Sequence, residues 1–329
     1  MKSLMHDYID EFPENIEEAL QIVREVKLTP KTIDNVVVCG MGGSSIGGKF
    51  IQTFFNNELK VPLVLCQSYD LPAFVTDKSL VVVSSSSGNT EETVSCLEHA
   101  NVKKANVIAV SSGGKIIEYS QDKGIEFIQL PARKPPRTTL AYSIIALTHI
   151  IDELRLVEND LTGKFDSISQ FLKENQLEIK NKAKEVSGQL KGTNIVIYSH
   201  NKDEALAVRA KQQINENSKQ LCWYHVFPEM NHNELVAWAG GNNKFSVVIL
   251  KSFDWDEQNQ KRLEFSKDYI GRKTNKIIEL IGQGASRYER LFYLLHLIDW
   301  LSLFLAEKNE VDPVEIKVID SLKSFLEND

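Results

Sequence analysis

Near the start of the chain apolar residues recur at helical spacing (Ile16, Ala19, Leu20, Val23, Val26), which predicts a helix before "LTPKT" stops it. From residue 35 the pattern changes. The short runs "NVVVCG", "PLVLCQ", "SLVVVSS", "NVIAVSS" and "IEFIQL" are apolar with little polar alternation, as in strands buried on both faces of a parallel sheet. Helices are expected between them from Ser44, Asn89 and about Lys115, so the first half predicts a doubly wound α/β domain. Residues 138–190 turn helical, first apolar ("LAYSIIALTHIIDEL") and then amphipathic and charged ("FLKENQLEIKNKAKEV"). Strand-like runs return at 194 ("NIVIYSH"), 245 ("FSVVILKS") and 275 ("NKIIELIG"), in the order of those at 35, 79 and 106. Two related α/β halves would give this order, and so would two unrelated ones. The expected organisation is a first domain over 1–155, a helical connection over 156–192 and a second domain over 193–329, each domain a doubly wound parallel sheet joined and flanked by helices.

Length and composition narrow the function. A chain of 329 residues suits two domains. With 38 Lys and Arg against 45 Asp and Glu, the net charge of -7 argues against a nucleic-acid partner and for a small ligand. The acidic N-terminus has no apolar core of a signal peptide. The apolar run Leu291–Ala306 is broken by His296 and Asp299 and falls short of the ~20 residues that span a bilayer, so no membrane partner is expected; it predicts a buried or subunit-facing helix. Cys39, Cys66, Cys96 and Cys222 show no CxxC spacing, which fits a reduced, cytoplasmic setting.

The stretch "VVVCGMGGSSIGGKF" resembles a nucleotide loop and fails both tests for one. Gly43, Gly48 and Lys49 match a P-loop, but Phe50 stands where a hydroxyl must take magnesium. Gly40 and Gly42 match a dinucleotide fingerprint, but Ser45 replaces its third glycine and the next strand ends at Gln67 in place of an acid. What remains is a tight turn and two hydroxyls at a helix start, suited to an anion or a sugar; taken alone, it reads rather as Ser44 capping the helix. The second loop, "SSSSGNTEETV", again follows a strand and opens a helix. Capping accounts for one of its hydroxyls, not five, and such a loop can enclose a phosphate.

"GMGGSSIGG" and "SSSSGNTEET", followed in order by "KPPRTTLAYS", "QQINENSK", "FPEMNHNELVAW" and "DPVEIKVIDSLK", resemble the bifunctional phosphoglucose/phosphomannose isomerase family, built of SIS (sugar isomerase) domains. The resemblance implies an isomerase that interconverts glucose 6-phosphate, and mannose 6-phosphate, with fructose 6-phosphate through a cis-enediolate, without metal or cofactor, in a homodimer. It implies that Ser85, Ser87 and Thr90 hold the phosphate and that Gly43 and Ser44 lie toward the sugar. Glu216 would be the base that moves the proton between C2 and C1, His232 and Lys323 would open the ring, and Arg137 would stabilise the enediolate. Such a carboxylate and such a guanidinium fit a carbon acid and its anion. Ser86 stands where the family has an aromatic residue, Thr138 and Thr139 where it has small ones, and Val314 and Glu315 where a Thr-Pro pair is frequent. The last of these bears on mannose against glucose use. A non-catalytic SIS regulator that binds phosphosugars, or an SIS isomerase for another phosphosugar, would share the two hydroxyl loops.

Overall fold

A computed structural model describes residues 4–29, 31–55, 57–132 and 135–326; Pro30 of the expected helix stop and Lys134 of the Pro-Pro motif lie outside them. The chain divides into two compact units, Glu11–Gln170 and Met1–Asp10 with Phe171–Asp329. Helix α1 (Leu4–Asp10) thus groups with the second unit. The expected single leading helix is two.

The first unit opens with α2 (Phe12–Arg24), whose Ile16, Ala19, Leu20 and Val23 make the buried stripe that the spacing predicts. There follow β1 (Asn35–Cys39), α3 (Gly42–Phe55), β2 (Leu63–Cys66), β3 (Ser79–Ser85), α4 (Glu91–Val102), β4 (Asn106–Ser111), α5 (Gly114–Lys123), β5 (Glu126–Gln129) and α6 (Leu140–Glu153). The strands pair in parallel in the order β2-β1-β3-β4-β5. On one face Val37, Val81 and Val83 pack with Leu97, Ala100 and Ile116 of α4 and α5. On the other, α3 lies close. A Cβ on Gly47 would stand 2.2 Å from Ser143 Oγ of α6, and one on Gly48 2.7 Å from Leu65 Cδ2 of β2. The second pair of glycines in "GMGGSSIGG" therefore serves close packing.

Helix α7 (Phe165–Leu190) carries the break between the units. The expected separate connection over 156–192 is therefore not a body of its own: Ser169 Oγ donates to the Pro13 carbonyl, 2.9 Å, on the first unit's side, while Gln176 Nε2 donates to Asp10 Oδ1, 2.7 Å, on the second's.

The second unit contains β6 (Asn194–His200), α8 (Glu204–Ser218), β7 (Cys222–Phe227), α9 (Glu234–Ala237), β8 (Phe245–Lys251), α10 (Glu257–Gly271), β9 (Ile277–Ile281), α11 (Arg287–Lys308) and α12 (Lys317–Leu326). Its parallel order is β7-β6-β8-β9. Strand β7, "CWYHVF", is absent from the expected runs. It lies at the sheet edge and only its two ends are buried, so it lacks the continuous apolar signature of an inner strand. Helix α6 buries its first twelve residues and α11 nearly all of Leu291–Ala306 within the chain, so both are core. No helix among the described residues is long and apolar enough to cross a membrane.

Candidate active site

In a doubly wound sheet the ligand crevice opens at the carboxyl ends of strands where the order reverses. In the first unit that point lies between β1 and β3, the strands that lead into the two hydroxyl loops. Neighbouring strands bring both loops to one place. Ser44 Oγ accepts from the Ser86 amide, 3.2 Å, so the first loop is fastened to the second. Gly42 takes φ +49°, and a Cβ on Gly40 would meet the Ser84 carbonyl at 3.0 Å. Gly43 has its Cα face against the backbone of Pro136 and Arg137; Arg137 is buried in the 3-10 turn Pro136–Thr138.

Within the second loop Ser85 is buried, and its hydroxyl pairs with that of Thr90 at 2.9 Å while accepting from the Gly88 amide at 3.2 Å. Ser87 Oγ accepts from the Asn89 amide, 3.2 Å. Thr90 stands at the N-cap of α4 but its side chain makes no capping bond. The cap explanation therefore fails for Thr90, whose hydroxyl turns to Ser85. One hydrogen lies between Ser85 and Thr90, so that pair keeps one O–H to donate, and Ser87, which accepts from the Asn89 amide, keeps its own; a phosphate offers only acceptors. The N-terminus of α4 adds its positive end.

A third loop, not singled out in the sequence, supports the second. Ser112 Oγ donates to the Ser86 carbonyl, 2.5 Å, and the Lys115 amide to Asn89 Oδ1, 3.1 Å. Gly88 (φ +70°) and Gly114 (φ +67°) sit where the loops interlock: a Cβ on Gly88 would stand 1.7 Å from the Gly113 carbonyl oxygen, and one on Gly114 2.7 Å from that of Ser87. The signal was present as "SSGGK" after a strand.

In the second unit, Glu216 lies on the last turn of α8. One stripe of that helix is polar and buried: Arg209 holds Asp299 of α11 through Nε and Nη2, both at 2.9 Å, Gln213 donates to the same carboxylate at 2.9 Å, and Asn217 donates to Ser302 Oγ at 2.9 Å. Positions 209, 213 and 217 share one helix face. Glu216, one residue round from that stripe, is partly exposed. Lys219, with φ +51° at the C-cap, donates from Nζ to the carbonyls of Glu216, Asp312 and Glu315, 2.7 Å each. It ties the end of α8 to the segment that leads into α12, where Lys323 is exposed. His232 is exposed on the 3-10 turn Glu229–His232 after β7. The departures Val314 and Glu315 fall in the segment that Lys219 holds.

The second sheet reverses its order between β6 and β8, yet no hydroxyl loop stands there. Buried Asp203 accepts from the Ser252 amide at 3.0 Å and from Ser252 Oγ at 2.7 Å, and the His200 ring packs edge-on to Phe253 and Trp255. Burial pushes the Asp203 carboxyl above, and the His200 imidazole below, its ordinary value. This end is filled by its own side chains.

Residues 179–326 match the family described as the bacterial phospho-glucose isomerase C-terminal SIS domain. A bifunctional phosphoglucose/phosphomannose isomerase of Caldicellulosiruptor bescii is 35% identical over 334 residues, covering 98% of each chain. The chain belongs to the bifunctional phosphoglucose/phosphomannose isomerase family. A member from Aquifex aeolicus is 35% identical over 91% of this chain and 92% of its own. Among solved structures, the C-terminal domain of glucosamine-fructose-6-phosphate aminotransferase from Francisella tularensis superposes with a TM-score of 0.78 at 14% identity, covering 96% of this chain and 99% of that one. This likeness shows a shared fold over both sheets.

Proposed function

We propose that this member of the phosphoglucose/phosphomannose isomerase family interconverts glucose 6-phosphate and mannose 6-phosphate with fructose 6-phosphate. The observation that carries the reading is the Ser85–Thr90 hydroxyl pair at the switch point of the first sheet, at the head of α4. Ser85, Ser87 and Thr90 bind the phosphate, with Ser44 and Gly43 beside the sugar. His232 and Lys323 pass a proton between the ring oxygen and the C1 hydroxyl to open the ring. Glu216 takes the C2 proton and returns it to C1, and the Arg137 guanidinium balances the charge of the cis-enediolate between the two steps. No metal takes part in this scheme, so activity survives a chelator. The working form is a cytoplasmic homodimer, which sedimentation of the purified protein tests. The scheme itself is tested by Glu216→Gln, which should lower turnover on either aldose about 10²- to 10⁴-fold and stop solvent deuterium from entering C1 and C2 while phosphosugar binding persists. Undiminished exchange in that variant rules Glu216 out as the base.

A further inference from the structure

Three of the four cysteines converge in the first unit, and the isomerase scheme uses none of them. Cys39 and Cys66 are the last residues of β1 and β2 and pair in register, so their side chains share a face of the sheet; Cys96 of α4 lies on that face. The three sulfurs lie within 4.8 Å of one another, with Cys66 Sγ and Cys96 Sγ 3.9 Å apart. Three sulfurs set in a plane round a metal at ~2.3 Å would be ~4.0 Å apart, close to the spacing found. Among the described residues no fourth His, Cys, Asp or Glu ligand joins the group. A structural zinc site closes with four ligands, whereas an all-thiolate set selects soft ions such as Cu(I).

We propose that Cys39, Cys66 and Cys96 form a three-coordinate site for a soft, thiophilic monovalent ion, Cu(I). Each thiol that binds exchanges its proton for the metal and releases it to solvent, and the copper stays monovalent, so no electron is transferred. Cys96 Sγ now donates to the Ser68 carbonyl at 3.2 Å and Cys66 Sγ to that of Asp70 at 3.3 Å. The exposed loop 67–70 is therefore the door, and these two bonds are what the metal replaces.

Anaerobic titration of the full-length protein with Cu(I) against a competing chelator, followed by copper X-ray absorption, tests the site. One copper per chain is expected, with three sulfurs at ~2.3 Å and no nitrogen or oxygen neighbour. Cys66→Ala and Cys96→Ala should weaken binding on the order of a hundredfold, and Cys222→Ala should leave it unchanged. A nitrogen or oxygen shell, equal affinity in the cysteine variants, or displacement of the copper by Zn(II) overturns the proposal. If the variants fold poorly, the absorption spectrum of the unaltered protein decides alone.

Discussion

At Thr90 a single hydroxyl separates capping from the ligand binding proposed for it. A capping threonine would bond its own helix, and here the bond goes to Ser85 at 2.9 Å. Thr90→Val keeps the shape and removes the hydroxyl. A hydrogen bond to a charged group contributes about 1.5–3 kcal/mol, so KM for glucose 6-phosphate should rise about tenfold or more with the melting temperature nearly constant. Steady-state kinetics beside a thermal melt separates the two effects. At this scale the sequence was informative where chemistry is local. A run of four serines, a glycine and a threonine after a strand can be recognised without coordinates. Which hydroxyl faces which cannot, because the Ser44–Ser86 and Ser112–Ser86 bonds depend on strand order, and β2-β1-β3 is not written in any local pattern.

Helix α8 shows how an element aims a residue. Its buried stripe of Arg209, Gln213 and Asn217 grips Asp299 and Ser302 of α11, which fixes the rotation of the helix and leaves Glu216, one position round, partly exposed. Asp299 stood out in the sequence only as an interruption of an apolar run; its partner lay far off in the chain. Lys219 fixes the end of the same helix. Its left-handed φ is a strained one for a side-chain-bearing residue, by about 1–2 kcal/mol, and glycine is the usual occupant of such a site. Lys219→Gly should therefore melt no lower than the unaltered protein, yet lose the bonds to the Glu216, Asp312 and Glu315 carbonyls that, in the proposed scheme, orient base and ring-opener. Turnover should fall about tenfold, since small misplacements of catalytic groups are costly, with KM little changed. Full turnover in this variant would show that the lysine only caps the helix. Strand β7 was missed for a physical reason already visible in its burial: an edge strand need not be apolar throughout.

For the whole molecule, acid is the informative stress. His296 of α11 is completely buried, with Trp300 Nε1 donating to its Nε2 at 3.2 Å. Burial, with Lys180 nearby, pushes the imidazole down to about 3. The unfolded chain takes up that proton near the ordinary histidine value and the folded chain does not. Stability is thus complete above pH ~6.5 and lost as pH falls toward 3, by about 1.4 kcal/mol per pH unit. In His296→Leu this loss disappears, so the variant should gain stability relative to the parent as pH falls, at that slope; chemical denaturation at pH 6.5, 5.5 and 4.5 reads it. The fold class and both sheets were legible because alternating apolar runs are local; the compact units were not. Helix α1 belongs with the second half: its Met5 and Ile9 are buried, and His6 packs edge-on against Trp300 and Phe304 of α11 and bonds Glu307 at 3.0 Å. Anyone cutting this chain in two will therefore find that a single cut does not yield two whole pieces. A fragment made from residue 171 onward leaves the Trp300 and Phe304 side of α11 bare and should aggregate, whereas the same fragment with α1 grafted back through a flexible linker should stay in solution. A chain whose first turn is needed to finish its second half must leave that turn without its packing partners until α11 has been made.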